Sequence, residues 1–356
     1  MKKLYTQLEY KKRRQAHAKK LQKRALVFKR KKKNRRKSFQ KQRHIPRNIP
    51  IKKPPVIVPT DFRLIHNTER CLDFFTELRK EQNASQISPL HKVIRLEMEG
   101  VEKIDYASIS LLIAISNHQR DKGITFWGTF PKNKECRKFF EDSGFLDYMK
   151  DQNGNPFKKA EKAEHIKIQT EKGKFTIEER KNMSLLFRKA SQNLTGERIR
   201  LQRISTLFTE ICGNSVEWSS ARGKMRLVGM YMEEESVTFT AVDLGRGIIS
   251  TIRRKFTHKL QELFIANRPV RILENAFRMK YGSSTGEINR AKGLISVKAA
   301  FDERKILDLY VITNNVILDF VDKKKSRVLS VPFQGTMYQW KITRECIENM
   351  LNDEND

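Results

Sequence analysis

The deciding stretch of this chain is Val237-Thr238-Phe239-Thr240-Ala241-Val242-Asp243-Leu244-Gly245-Arg246-Gly247-Ile248. Its first six residues are mostly β-branched, aromatic or small, and they predict a strand that ends at Asp243. An aspartate at a strand end can accept a hydrogen bond from the exocyclic amine of adenine. Gly245 and Gly247 allow the backbone to turn sharply and to pass close to a base. The alternative is a surface turn, because Asp-x-Gly is a common sequence.

A helix is predicted upstream, over residues 196–220, because apolar residues recur there at three- and four-residue spacing. Glu210 and Asn214 lie one helical turn apart on it. An asparagine oxygen suits Mg²⁺, which prefers hard oxygen ligands. A glutamate can orient or deprotonate a water directed at a phosphate. The pair by itself also fits two solvated side chains.

Downstream, the segment Gly282-Ser283-Ser284-Thr285-Gly286 leads into Asn289-Arg290-Ala291-Lys292-Gly293-Leu294. A flexible stretch followed by a helix N-terminus that carries glycine predicts a cradle for a triphosphate. Arg290 and Lys292 would supply positive charge there. Taken alone, this segment equally fits an ordinary flexible loop.

In this order the segments resemble the GHKL superfamily of gyrases, chaperones, histidine kinases and MutL proteins. Four segments carry the resemblance: Thr209–Trp218 is similar to the N-box, Asp243–Gly247 to the first glycine box, Gly286–Leu294 to the lid and second glycine box, and Gly335-Thr336 to the terminal Gly-Thr. The resemblance covers about residues 165–345. It implies a Bergerat-type α/β sandwich that takes ATP and Mg²⁺ as cofactors.

The resemblance also implies a role for each matching residue. Asn214 would ligate Mg²⁺, and Glu210 would be the catalytic base or water-orienting residue. Asp243 would recognise adenine, Gly245 and Gly247 would shape the pocket, and Thr336 would support the base. The residues expected at the phosphates are Gly286, Arg290, Lys292, Gly293 and Leu294. Ala291 stands where the lid glycine is often found, which predicts slow turnover.

The remaining elements predict a sandwich of helices on a mixed sheet. A further helix is expected at 176–192. Strands are expected at 225–232, 236–242, 306–313, 316–321, 327–331 and 335–342.

The middle of the chain, residues 56–150, alternates strands and helices and predicts a small α/β layer. The strand Val93–Met98, the turn at Asp105, the helix opening at Ser108 and the later Ser143-Gly144-Phe145 stop resemble the STAS domain of anti-sigma-factor antagonists. A generic α/β domain is the alternative. Tyr106 and Ala107 occupy the positions where phospho-switched members carry Ser or Thr. We therefore expect a structural or docking role, with a possible protein partner.

Residues 1–53 form a strongly basic arm, with 23 lysines and arginines against one acidic residue, Glu9, and hence +22 of the whole chain's +32. Such self-repelling runs cannot bury a core, so the arm is expected to be largely disordered. Its expected partner is RNA or DNA, bound through phosphates. An acidic protein, an anionic membrane surface and a solubilising tail are the alternatives.

The sequence predicts an α+β protein with four segments: the arm at 1–55, the STAS-like layer at 56–150, a linker at 151–164 and the GHKL domain at 165–356. No apolar run is long enough to cross a membrane, and no apolar segment follows the N-terminal charges as in a secretory signal. The four cysteines are scattered, as expected for reduced cytosolic thiols. We therefore expect a cytoplasmic protein.

Three functions fit these features. The first is a Mg²⁺-dependent ATPase or ATP-driven conformational switch, working by resemblance as a homodimer. The second is an anti-sigma-type serine kinase acting on a separate STAS-like partner. A self-phosphorylating histidine kinase fits poorly, because none of the seven histidines is followed directly by Glu or Asp. The third is a nucleotide-binding scaffold without turnover.

Overall fold

The computed structural model describes residues 15, 53–88, 91–149, 151, 155–169, 176–199, 225–255, 269–278 and 292–355. Over these residues the chain is mixed α+β, as the sequence predicts. The basic arm, apart from Gln15 and residues 53–55, and most of the helix predicted at 196–220 lie outside the described residues. The elements below all belong to the compact unit formed by residues 51–151 and 156–356.

The first part of this unit, called here the N-terminal layer, comprises residues 56–149. Its helices are α1 (Thr68–Arg79), α2 (Tyr106–Asp121) and α3 (Lys134–Asp142), and its strands are β1 (Val56–Ile57), β2 (Asp61–Phe62), β3 (Ser85–Ser88), β4 (His91–Glu97), β5 (Lys103–Ile104) and β6 (Ile124–Gly128). β4 pairs in parallel with β1 and β6 and antiparallel with β3. β2 and β5 form a separate parallel pair. The strand predicted at Val93–Met98 is confirmed as β4, and the helix predicted to open at Ser108 is confirmed as α2, which begins two residues earlier.

Helix α2 begins at a buried aspartate. Asp105 Oδ1 accepts a hydrogen bond from the Ser108 amide at 2.8 Å, which caps the helix. Its Oδ2 accepts from the Ile65 amide at 3.3 Å, so the cap also fixes the preceding loop. Burial is the largest influence on this carboxyl and raises its pKa. Ser108 is itself fully buried and donates its hydroxyl to the Asp105 carbonyl, so it serves the helix start.

The second part is built on a five-stranded antiparallel sheet in the order β10-β11-β9-β8-β7. Its strands are β7 (Ala163–Gln169), β8 (Met225–Met232), β9 (Val237–Asp243), β10 (Leu307–Asp319) and β11 (Arg327–Ile342). Its helices are α4 (Ile177–Thr195), α5 (Ile248–Lys255), α6 (Pro269–Phe277), α7 (Lys292–Asp302) and α8 (Arg344–Asn355).

Both faces of this sheet are covered. On one face, Val228, Ala241 and Tyr338 pack in a core with residues of α4 to α8. On the other face, Leu227 and Val242 share a core with α1 and α2 of the N-terminal layer. All seven residues of β9 are consequently buried, and the in–out alternation of a half-exposed strand is absent from it.

Two local predictions are wrong. The predicted helix does not include residues 196–199, because Gly196 adopts φ 83° and ends α4. The four strands predicted after residue 305 are two long strands, β10 and β11. Asn314, at φ 53°, bends β10 without ending it.

Within the described residues, no helix is both long and apolar enough to cross a membrane.

Candidate functional site

Four polar side chains form a row across the centre of the five-stranded sheet. Asp243 of β9 lies opposite Arg226 of β8 and opposite Thr336 of β11. Thr336 in turn lies opposite Thr313 of β10. Directly opposed residues of antiparallel strands project to the same face, so these four side chains are neighbours. We call them the polar row.

The polar row is buried on the helical side of the sheet. Exposed fractions are 3% for Arg226, 6% for Asp243, 4% for Thr336 and 0% for Thr313. Each is two residues along its strand from a residue of the core shared with α4 to α8, as Asp243 is from Ala241. Buried charged and polar groups are costly unless they have partners, so a row of them at the centre of a sheet indicates a functional role.

The chain after Asp243 folds back over its carboxylate. A Cβ built on Gly245 would lie 2.5 Å from Asp243 Oδ2, so only glycine fits there. Gly247 adopts φ 83°, and a Cβ there would collide with the Asn314 side chain. Helix α5 begins at the next residue. The two glycines thus give the sharp turn beside the aspartate that the sequence predicts.

Thr313 ties this turn to the end of the polar row. Its Oγ1 accepts a hydrogen bond from the Ile248 amide at 2.9 Å and donates to the Gly335 carbonyl at 2.9 Å. The Thr336 hydroxyl lies 3.1 Å from the same oxygen. A hydroxyl has a single hydrogen, so Thr336 is the donor in this last contact. The Thr336 oxygen is thereby left as an acceptor beside Asp243.

Asn314 fixes the other side of the turn. Its amide nitrogen donates to the Arg246 carbonyl at 2.8 Å and to Ser250 Oγ at 2.7 Å. Its Oδ1 accepts from the Ser250 amide at 3.2 Å. Asparagine tolerates a positive φ better than most residues, so one residue both bends β10 and anchors the start of α5.

The structure brings together four of the residues predicted for the site. Asp243 and Thr336 are the two middle residues of the row, and Gly245 and Gly247 lie in the adjoining turn. Gly293 and Leu294 lie in the first turn of α7, on the helical side of the sheet, and Leu294 packs against the core there. Lys292 is the first residue of α7. Glu210, Asn214, Gly286 and Arg290 lie outside the described residues.

No protein-family model, no curated protein and no solved structure matches this chain. The GHKL and STAS-like resemblances therefore stay predictions. Among the residues that the structure describes, no group of three or more His, Cys, Asp or Glu side chains could hold a metal ion. The Mg²⁺ ligand predicted from the sequence, Asn214, is not among them.

The sequence did not identify Arg226, Thr313 or Asn314 as site residues. A signal was present for the last two, since they interrupt the apolar run Tyr310-Val311-Ile312 before Val316-Ile317-Leu318. Polar residues inside a buried strand need partners, and that need predicts a site. Arg226 belongs to the site because it lies opposite Asp243 in the sheet, and the sequence does not reveal this strand register.

The opposite face of the sheet carries the contact with α2. Tyr106 lies against the Met230 carbonyl and His165, and Thr240 donates to Ser110 Oγ at 2.8 Å. Gly229 lies beneath this contact, where a Cβ would be 2.7 Å from both the Tyr106 and Thr240 oxygens. The start of α2 is thus packed against the sheet of its own chain.

Proposed function

We propose that this chain binds an adenine nucleotide at the polar row, with Asp243 and Thr336 holding the base. The observation that carries the proposal is the register of β9 and β11, which puts these two buried side chains directly opposite each other. Their order along the chain and their adjoining glycine turn are those that the GHKL resemblance implies.

The hydrogen-bonding character of the pair favours adenine. An ionised carboxylate only accepts, and the Thr336 oxygen acts as an acceptor because Thr313 takes its hydrogen. The exocyclic amine of adenine supplies two N–H donors, whereas guanine has a carbonyl oxygen at the same position. A guanine base bound in the same orientation would therefore place an acceptor against two acceptors in a buried setting.

The described residues fit the base end of such a ligand. Gly245 and Gly247 keep the turn free of side chains, which lets backbone approach a flat ring closely. At the other end, Gly286, Arg290, Lys292, Gly293 and Leu294 would hold the phosphates. Asn214 would ligate Mg²⁺, which supplies neutralising charge at the phosphates. Glu210 would orient the attacking water.

Equilibrium binding of ATP and GTP to the full chain tests the base assignment. We expect Asp243→Asn to weaken ATP binding at least roughly tenfold, the scale of one hydrogen bond to a charged acceptor. Asp319→Asn is the matched control. Asp319 is equally buried, at 6% exposure, but its Oδ1 accepts from the Val321 and Asp322 amides in a turn beyond the row. Unchanged ATP affinity in Asp243→Asn would reject the site.

We propose that the bound ATP is hydrolysed through Glu210, which makes the protein an ATPase or an ATP-driven switch. Glu210→Ala should abolish phosphate release while ATP binding is retained. Label transferred from the γ-phosphate to a protein would instead identify a kinase. Binding with neither outcome would identify a scaffold without turnover.

A further inference from the structure

Strand β11 contains a bulge immediately before Thr336. Thr313 pairs with Thr336 and the next residue, Asn314, pairs with Phe333, so Gln334 and Gly335 are inserted between two consecutive pairs. A bulge of this kind removes regular ladder hydrogen bonds and re-aims the side chains beside it. Here the side chain beside it is Thr336, one of the two residues proposed to hold the base.

Each carbonyl of the bulge receives a hydrogen bond from a side chain. The Gly335 carbonyl accepts from Thr313 Oγ1 at 2.9 Å, within the sheet itself. The Gln334 carbonyl accepts from Arg79 Nη1 at 3.1 Å, and Arg79 is the last residue of α1 in the N-terminal layer. The bulge is therefore held from both sides, by the sheet and by the N-terminal layer.

The bulge also lies in close contact with the polar row. Gly335 adopts φ 153°, and a Cβ there would collide with the backbone carbonyl of Asp243. Its neighbour Phe333 is buried, at 4% exposure, in the core shared with α1 and α2. A displacement of the bulge would thus be felt at both Asp243 and Thr336, because there is no free space between them and Gly335.

We propose that Arg79 is a positioning residue for the nucleotide site, through which the N-terminal layer sets the placement of Thr336 beside Asp243. The proposal rests on the proposed nucleotide function and adds its regulation. Movement of α1 changes the hydrogen bond to Gln334, and the bulge passes the change to the base-binding pair. Reciprocally, a bound base stabilises the bulge and the packing of α1 against the sheet.

A second contact of α1 with β11 provides a matched control. Near the start of the helix, Glu69 Oε1 accepts a hydrogen bond from the Ser330 amide at 3.0 Å. This contact joins the same helix to the same strand by one hydrogen bond, but it lies before the bulge. A general loosening of α1 would follow from either loss, whereas repositioning of Thr336 follows only from loss of Arg79.

The test compares Arg79→Met, Arg79→Lys and Glu69→Met in the full chain, by ATP affinity and by amide hydrogen exchange of residues 333–337. Glu69→Met removes the oxygen that accepts from the Ser330 amide, just as Arg79→Met removes the donor to Gln334. Arg79→Met should weaken ATP binding roughly fivefold to tenfold, which corresponds to the loss of about one ordinary hydrogen bond. Arg79→Lys should recover part of the loss, because an ammonium can still donate to the carbonyl. Glu69→Met should bind ATP as the unchanged chain does.

Two results overturn the proposal: ATP affinity unchanged in Arg79→Met, or an equal loss in Glu69→Met. A chain that binds no adenine nucleotide would reject the proposed function instead. In that case amide exchange decides the role of Arg79 in the ligand-free protein. Faster exchange at 333–337 in Arg79→Met than in Glu69→Met supports the hydrogen bond from Arg79 as the contact that holds the bulge, and equal exchange rejects it.

Discussion

The phenolic oxygen of Tyr106 lies 2.9 Å from Nε2 of His165 in the buried contact between α2 and the sheet. Tyr106 has one hydrogen and donates it to the Met230 carbonyl at 2.9 Å. His165 must therefore be the donor to Tyr106, so its Nε2 carries a hydrogen. Burial lowers the pKa of His165 to about 3, in agreement with a neutral ring.

The first prediction concerns stability in acid. Because the folded-state pKa of His165, about 3, lies below the ordinary value of 6.5, the unfolded chain binds more protons between these limits. The free energy of unfolding should therefore fall as the pH drops from 6.5 towards 3, with His165 contributing about 1.4 kcal/mol per pH unit. Denaturant unfolding at several pH values measures this.

His165→Gln removes the titrating group. The free energy of unfolding of this variant should therefore depend less steeply on pH, by the contribution of His165. His66→Gln, a change at an exposed histidine of the N-terminal layer, should leave the slope as it is. Equal slopes in the unchanged chain and His165→Gln would show that the ring is not held neutral by this contact.

A second prediction concerns the space beneath α2. Gly229→Ala puts a methyl group 2.7 Å from the Tyr106 and Thr240 oxygens, so the helix must shift from the sheet. We expect a loss of about 1–3 kcal/mol in the free energy of unfolding, typical of overpacking. Gly100→Ala is the control, because nothing lies within 4 Å of a Cβ there. Equal stability of the two variants would contradict the close approach of α2.

A third prediction concerns Thr313. Thr313→Val keeps the shape of the side chain but removes the hydroxyl that pairs with the Ile248 amide and the Gly335 carbonyl. We expect the free energy of unfolding to fall by about 1–3 kcal/mol. ATP affinity should also fall, since Thr336 loses the acceptor that orients its hydroxyl. Thr313→Ser, which keeps the hydroxyl, should retain most of the affinity. Nucleotide titration and denaturant unfolding measure the two effects, and a Val variant that binds ATP normally would separate Thr313 from the site.

The fourth prediction concerns residues 1–53, which we propose bind nucleic acid through phosphates. The affinity of the full chain for a generic duplex or single strand should fall roughly a thousandfold or more between about 50 and about 200 mM salt. Deleting residues 1–53, which carry +22 of the +32 net charge, should remove most of this dependence. A scrambled arm of equal composition should bind as the natural arm does, because the attraction is independent of sequence. Salt-dependent binding that survives the deletion would refute the proposal.

Much of the secondary structure followed from local pattern. The β-prone run before Asp243 gave β9 with its end at the aspartate, and the predicted strand Val93–Met98 and the predicted helix opening at Ser108 correspond to β4 and α2. The turn after β9 was also predictable, because closely spaced glycines indicate a sharp backbone turn, and such a turn depends only on neighbouring residues. Asn314 shows the limit of this reasoning: an Asn-Asn pair predicts a strand break, yet the tertiary contacts of Asn314 keep β10 continuous through the bend.

The sequence by itself determined the α+β class, the strand that ends in Asp243, the glycine turn and the concentration of charge on the arm. These features depend on residue type and short spacing alone. Only the tertiary structure decided that Arg226, Thr336 and Thr313 line up with Asp243, because strand register depends on pairing between residues distant in the chain. It also decided that α1 and α2 cover the second face of the sheet. Hydrophobic attraction is not directional, so the apolar residues of the sheet and of these helices do not by themselves specify which element packs against which.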